Sequence, residues 1–562
     1  MPIYLKPIPS TEKCFMEQSI ADKPTLSYDT ALRGEEYHFQ LAYTTTEPGH
    51  DPKTILWLDW DSDLLCTIET VEQIPVRVPC YHTPTNQDDN YLKKTPGLYP
   101  DLLCPIEKGA RVFVPYGELK ALYVTVKVPT NAPAGEHTIT VRFTDAPHGN
   151  TVLSTTFTLR VIPATLPRQE LKYTNWLYCD CVSSVYGLEV FSDKHWEYLE
   201  NLIRTAVENG INTILTPIVT LPLDTDVGFE RPTLQLADIQ RIEEDGTVRW
   251  QFGWDRLERW VAMCDRCGVE YFEVCHLFSQ WGLAHAPKIV ALVNGKEEKV
   301  FGWDTEGLSE EYLTFLRAML TSFITKMKSL GRADKRCLFH ISDEPILAHL
   351  ERYQKAYDAL ADILADYPTM DALSNFDFYT HGLVKQPVPA SNHIEPFLEA
   401  HVPNLWTYYC CGQNVDVSNR YLAMPGSRTR ILGVQLWKYE LTGFLQWGYN
   451  SWYALGSREV INPYLVNDGN HYVPAGDCYG VYPGPHGQPY NSLHMKAVTE
   501  ALHDLRMLRL AESLCGKEAV LAAVEDGIDP ITFAVYPHDD SYIPTVRSRV
   551  HQMIESALGD GQ

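Results

Sequence analysis

The sequence predicts a multidomain protein: an N-terminal β-sandwich over residues 1–165, a (β/α)8 TIM-like barrel over 170–514, and a short helical C-terminal tail over 515–562. Three observations predict it. The chain has 562 residues, too many for one ordinary domain. Its first part alternates apolar and polar residues at a period of two, with no amphipathic helix of useful length between the runs. From about residue 170 the pattern becomes strand, then helix, repeated. Hydrophobic residues make up 45% and charged residues 21%, a globular balance that can fill a large core.

The sandwich rests on the runs EEYHFQLAYTT, KTILWLDW, VEQIPVRVPCY, KALYVTVKVP, EHTITVRFT and TVLSTTFTLRVI, separated by turn residues as in NAPAGEH. Pro163 and Pro167 mark a linker. Eight candidate strands follow: LKYTNWLY, INTILTPI, VEYFEVCH, CLFHIS, DALSNFDF, NLWTYYC, ILGVQLWK and GFLQWGYN. Helical patterns lie between several of them, such as WDRLERWVAMCDRCG and EEYLTFLRAMLTSFITKMKSLG. Eight strands with intervening helices are what a barrel needs. The alternative is a doubly wound open sheet, which no Gly-rich βα turn supports. Residues 221–253 break the repeat. They read as a β-hairpin turning at Asp245-Gly246 and rising from the catalytic face. A long helix, SLHMKAVTEALHDLRMLRLAESL, follows strand eight.

The net charge of −25 argues against nucleic acid or an anionic membrane as partner, since both need a basic surface. No run of about 18 apolar residues is present to span a membrane. The start, MPIYLKPIPSTEKCF, carries no secretory signal pattern. The expected location is cytoplasmic, or secreted or periplasmic with a signal already trimmed. The 14 cysteines read as reduced, buried thiols. Cys264 and Cys267 form one CxxC inside a helical pattern, without a second pair at zinc spacing. There is no HExxH and no phosphate-binding glycine loop, so neither metal nor cofactor is expected.

Active residues of a barrel sit at the C-terminal ends of its strands. Those ends are rich in Trp, Tyr, Asn and carboxylates: Asn175 and Trp176, Asn212, Glu273 and His276 with Gln280 and Trp281 beyond, Tyr379, Trp406 and Tyr408, Trp437, Trp447. Aromatic faces stack on the C–H patches of sugars and planar polar groups take the hydroxyls, although aromatics at strand ends are also ordinary core. The sharpest feature is CLFHISDEP. An apolar run is stopped by Pro345, leaving Asp343 and Glu344 adjacent. Two close, buried carboxylates cannot both ionise cheaply, so one stays protonated near neutrality. That acid is what protonation of a glycosidic oxygen requires. The structural alternative is an Asp343 that caps the following helix, with Glu344 solvated in its first turn.

With these residues in place the sequence resembles glycoside hydrolase family 123, the β-N-acetylgalactosaminidases, and the related barrels that share their C-terminal region. The resemblance covers nearly the whole chain. It is carried by RGEEYHFQLA (33–42), PGLYPDLL (96–103), VPTNAPAGEH (128–137), HLFSQWGLAHAPKI (276–289), FHISDEP (339–345), GFLQWGYN (443–450) and VYPG (481–484). It implies a retaining mechanism in which the substrate's own 2-acetamido oxygen attacks the anomeric carbon. Glu344 would be the general acid/base, and Asp343 would orient the acetamido N–H and stabilise an oxazolinium-like intermediate. Trp406, Trp437 and Trp447 are candidates for an aromatic pocket around the acetamido methyl, and Tyr408 for the acetamide oxygen. Asn212, His276 and Tyr379 are candidates for the sugar. The partner is then a glycan or glycoconjugate. Two alternatives stay open: a two-carboxylate retaining glycosidase using Glu344 and Glu440, and a catalytically silent carbohydrate-binding protein.

Overall fold

The computed structural model describes residues 3–46, 53–81, 88 and 90–559. The ends of the sequence-based first and third segments, 1–2 and 560–562, lie outside the described residues. The N-terminal part contains ten strands: β1 (Ile3–Pro9), β2 (Tyr28–Arg33), β3 (Glu36–Thr45), β4 (Lys53–Asp61), β5 (Leu65–Val76), β6 (Gly97–Ile106), β7 (Arg111–Pro115), β8 (Lys120–Lys127), β9 (Gly135–Thr144) and β10 (Thr151–Thr165). They form two five-stranded sheets, ordered β1-β3-β8-β5-β6 and β2-β10-β9-β4-β7. Inward residues of both sheets, among them Leu41, Val124, Phe143 and Leu159, make one apolar core. Within it Phe39 and Phe157 stack at 4.2 Å between ring centroids.

Eight short strands of the second part are parallel to their neighbours: β11 (Lys172–Asn175), β12 (Thr213–Thr216), β15 (Tyr271–Val274), β18 (Cys337–Phe339), β19 (Met370–Ala372), β20 (Gln386–Val388), β21 (Trp406–Tyr408) and β22 (Gly443–Gln446). Six of them form one sheet, in the order β18-β15-β12-β11-β22-β21, and β19 pairs with β20. Single parallel bridges, Phe339 to Thr369 and Ala390 to Tyr408, join the edges of the two sheets. Helices flank them: α1 (Cys179–Tyr186), α2 (Asp193–Glu208), α3 (Asp255–Cys267), α4 (Glu310–Ser329), α5 (Leu350–Leu360), α6 (Asp377–Thr380), α7 (Glu395–Glu399), α8 (Gly426–Arg430), α9 (Leu432–Lys438) and α10 (Leu493–Cys515).

Two sequence expectations are corrected here. The segment 431–438, read as the seventh strand, is helix α9. Residues 432–437 of it are all buried, and Gly433 lies so close to α10 that a Cβ would sit 2.0 Å from the Ala501 carbonyl. A segment covered on all sides shows no period to separate helix from strand. The strand it displaced is Gln386–Val388, hidden in sequence by Pro387, which donates nothing to a ladder. The fifth strand is also shorter than read. It ends at Ala372, and Asp377–Thr380 is one turn of helix.

The hairpin of residues 221–253 is present as β13 (Asp238–Glu244) and β14 (Thr247–Gly253). Its turn residues Asp245 and Gly246 have φ of 50° and 74°, as a two-residue primed turn requires. A second hairpin, β16 (Ile289–Val293) and β17 (Lys296–Phe301), turns at Asn294-Gly295 and pairs with the first in a four-stranded sheet. The C-terminal helices α11 (Lys517–Val524) and α12 (Tyr542–Gly559) follow α10. From α12, Arg547 reaches Glu35 of the sandwich at 2.6 Å and Asp504 of α10 at 2.7 Å, all three buried. No helix among the described residues is long and apolar enough to cross a membrane.

Candidate active site

A cleft opens where the parallel strands end. Asp343 and Glu344 both line it, with Trp176, Asp224, Gln280, Trp281, Tyr408 and Trp447. The strand-four run ends at Phe339, and the chain then turns sharply. Glu344 has φ of 43°, a left-handed conformation uncommon for a residue with a side chain. Two backbone bonds hold the corner. The Glu344 N–H donates to the Ala372 carbonyl at 3.0 Å, and the Trp281 N–H donates to the Asp343 carbonyl at 3.3 Å. Neighbouring side chains on a strand face opposite ways; this corner brings both carboxylates to one cleft. The helix-cap alternative for Asp343 is not realised, because the next helical turn is capped at Ile346.

Each carboxylate has its own partners. Gln280 Nε2 donates to Asp343 Oδ2 at 2.7 Å, and Gln280 Oε1 accepts from the Asp224 N–H at 2.5 Å. Asp343 Oδ1 is buried with no hydrogen-bond partner. Glu344 Oε1 accepts from the Tyr408 hydroxyl at 2.7 Å, and Glu344 Oε2 from the Trp281 indole at 3.4 Å. Asp343 is 4% exposed. Burial, reinforced by the charge of Glu344, pushes its carboxyl well above the usual range. Burial also raises the carboxyl of Asp224, against a 2.8 Å hydrogen bond from Tyr178.

Beneath the pair lies a buried polar network. His340 sits between Glu273 (2.6 Å) and Asp371 (3.0 Å). Burial alone would neutralise the ring, but the hydrogen bonds from Asp371 and Glu273 outweigh it and raise His340 to about 10. It is therefore an imidazolium at neutral pH. Asp371 also accepts from Tyr353 and from the Ser342 N–H at 3.3 Å, next to Asp343. Glu273 accepts from Thr174 and from the Trp176 indole at 2.7 Å. The network thus fixes both a cleft wall and the backbone entering the Asp343–Glu344 corner.

His276, His340 and Asp371 bring three possible ligand atoms within 4.8 Å of one another. The two rings, however, are stacked 4.2 Å apart and inclined by 23°. Their in-plane lone pairs run side by side instead of converging on one ion, and both His340 nitrogens already face carboxylates.

The other sequence candidates divide sharply. Tyr408 and Trp447 are in the cleft. Asn212 precedes β12, at the opposite strand end; its amide is consumed by the Tyr173 N–H (2.8 Å) and the Leu171 carbonyl (3.0 Å). His276 is fully buried beneath the cleft, and burial, with the charge of His340, holds it well below its ordinary value. Tyr379 is on α6, its ring tilted by 32° against that of Phe376. Trp406 is core, lying over Gly443, where a Cβ would come within 2.0 Å of its ring. Trp437 is on α9 and donates to Glu512 at 2.8 Å. Glu440 follows the same helix, is 74% exposed and pairs with Lys517 at 3.1 Å. It is not among the residues lining the cleft.

Asp224, Leu455 and Val473 line the cleft without being among the sequence candidates; Cys410 and Cys411, which near a strand end could line a pocket but read more simply as small buried residues, line it too. Asp477, behind Trp447, also escaped. It accepts from the Trp447 indole at 2.9 Å, and burial raises it to about 7 against the charge of Arg420. Trp176, Gln280 and Trp281 carried a signal, since each follows a strand.

A strand-end cleft with paired carboxylates and an aromatic lining defines a carbohydrate-active enzyme of the hydrolase class. The comparisons agree and narrow it. Residues 176–511 match the family description "Glycoside hydrolase 123, catalytic domain", and the chain belongs to that family. A family 123 glycoside hydrolase from Clostridium perfringens, solved to detail glycolipid glycan hydrolysis, superposes with a TM-score of 0.72 at 14% identity. The match covers 99% of this chain and 98% of that one, so the two share a fold throughout. A family 5 mannosidase from Rhizomucor miehei aligns far more loosely, with a TM-score of 0.34 at 12% identity over 63% of this chain and 95% of that one. No curated protein matches the chain in sequence.

Proposed function

We propose that this glycoside hydrolase removes β-linked N-acetylhexosamine, foremost N-acetylgalactosamine, from glycoconjugates by a retaining, substrate-assisted mechanism. The observation that carries the proposal is the adjacency of Asp343 and Glu344 on one cleft, with Glu440 exposed outside it. An ordinary retaining pair stands about 5 Å apart on opposite sides of the anomeric centre. Consecutive residues cannot bracket a sugar in that way. They can serve a substrate that brings its own nucleophile.

In this reading Glu344 protonates the glycosidic oxygen as the acetamido oxygen attacks the anomeric carbon. The glycosidic bond breaks, and an oxazolinium-like ring carries the positive charge. Asp343 Oδ1, buried and unpartnered, accepts the acetamido N–H. Glu344 then takes a proton from the water that opens the ring, and two inversions give net retention. The step requires the proton on Glu344 and the negative charge on Asp343. Gln280 and Tyr408 hold the two carboxylates apart. Trp176, Trp281 and Trp447 supply apolar faces for the sugar and its methyl, and Asp224 faces its hydroxyls. Tyr408 is assigned here to Glu344, in place of the acetamide oxygen.

We also infer that the parallel strands form one eight-stranded barrel, closed through the Phe339–Thr369 and Ala390–Tyr408 bridges. That places the acid/base corner after strand four and Tyr408 after strand seven. The glycolipid-directed relative supports a glycoconjugate substrate. A panel of chromogenic β-glycosides differing only at C2 and C4, with a thiazoline inhibitor, tests the function. Cleavage confined to 2-acetamido sugars and blocked by the thiazoline supports it. Equal cleavage of 2-hydroxy sugars rejects it.

A further inference from the structure

Just beyond β21 the consecutive residues Cys410 and Cys411 both line the cleft. The regular strand has ended, and four side chains hold the turn. The Cys410 N–H donates to Gln413 Oε1 at 2.9 Å. Asn419 Nδ2 and the Tyr421 hydroxyl each donate to the Cys410 carbonyl at 2.9 Å, and Asn414 Nδ2 donates to the Cys411 carbonyl at 3.2 Å. Both residues are free thiols, adjacent in the chain and partly exposed to the same cleft. Ten of the 14 cysteines are buried. The other two that are partly exposed, Cys104 and Cys515, stand on β6 and at the end of α10.

We propose that Cys410 and Cys411 form a preorganised dithiol site in the cleft wall that chelates one thiophilic centre, a trivalent arsenical or a soft metal ion, and that its occupation blocks the cleft. Soft sulfur donors select such centres, and thiols on consecutive residues that line one cleft can meet on a single atom. The turn is fixed before binding, so little ordering cost remains. The neighbouring Cys411 thiol, then burial and the charge of Glu344, push the Cys410 thiol up. Reagents that need a free thiolate are thereby disfavoured. A centre that takes both sulfurs together replaces both protons. With phenylarsine oxide, two As–S bonds form, the As–O bond is lost, and the two thiol protons leave with the oxygen as water; no oxidation state changes.

The test is intact-protein mass spectrometry of the folded, full-length protein after phenylarsine oxide, with peptide mapping of any adduct. One adduct is expected on the wild type and on Cys104→Ser/Cys515→Ser, mapping to the peptide that holds both cleft thiols. None is expected on Cys410→Ser or Cys411→Ser, and a small dithiol should strip the wild-type adduct. No adduct on the wild type, or an adduct mapping elsewhere, overturns the site even where a serine variant fails to fold. Persistence on a folded single variant does the same. Hydrolysis is measured in parallel: it should fall in proportion to adduct, and full activity in adducted protein overturns the blocking role. The adduct is read without turnover, so a failure of the proposed function leaves this test intact.

Discussion

The hydroxyl of Tyr408 and the carboxylate of Glu344 are joined by a 2.7 Å hydrogen bond, across a sequence gap that only the fold closes. Tyr408 is buried at the end of β21, and its burial, with the charge of Glu344, keeps the phenol firmly protonated. It therefore donates at every working pH and fixes one face of the Glu344 carboxylate. A hydrogen bond to a charged group contributes about 1.5–3 kcal/mol. Tyr408→Phe is predicted to lower kcat/KM by about 10- to 100-fold, with an unchanged thermal midpoint to within a few degrees. A variant with wild-type kcat/KM contradicts the pairing.

Glu344→Gln removes the proton carrier but keeps shape and burial. Proton transfer by a positioned side chain is worth about 10²- to 10⁴-fold. Hydrolysis of an alkyl or natural glycoside should fall by about that factor, while sugar binding by calorimetry persists. A leaving group that needs no protonation should lose far less. Equal losses on both substrate types remove Glu344 from the acid role.

Glu440→Gln is predicted to leave kcat/KM within about twofold, since exposed ion pairs such as that with Lys517 contribute little. A loss of several orders of magnitude revives the two-carboxylate mechanism.

The buried cation gives a stability signature. His340 is raised from 6.5 to about 10 in the folded state. A raised value favours the protonated folded form, so its contribution is complete below about 6.5 and is lost as pH rises toward 10. Chemical denaturation between these limits should show falling stability in the wild type. His340→Gln should be less stable below about pH 6.5, by roughly 3–5 kcal/mol for an uncompensated buried charge, and should follow a flatter profile, so that the gap narrows toward high pH. A wild-type profile flat from pH 6.5 to 10 contradicts the ion triad.

The parts legible in sequence are those with local causes. Asp343 and Glu344 stand out because an apolar strand meets a proline. Asp-Gly at 245–246 announces its hairpin, and Asn-Gly at 294–295 carried the same signal. Parts decided by tertiary contact were not legible. Residues 432–437 are all buried, with no exposed face, so no period marks them as helix. Trp406 and Trp447 look alike in sequence; only the packing of Trp406 on Gly443 and the bond from Trp447 to Asp477 separate core from cleft. Asp224 enters the site from a loop through Gln280, 56 residues away, and no local pattern encodes that meeting.

The central claim is that the substrate's acetamido oxygen is the nucleophile beside Asp343. It is tested most directly by kcat/KM for one aryl N-acetyl-β-galactosaminide and its mono-, di- and trifluoroacetamido analogues. Fluorine weakens the amide oxygen without altering the leaving group. With the acetamido oxygen as nucleophile, kcat/KM should fall steeply and progressively across the series, by several orders of magnitude. A flat series, with all four cleaved at comparable rates, contradicts it and requires a nucleophile from the protein.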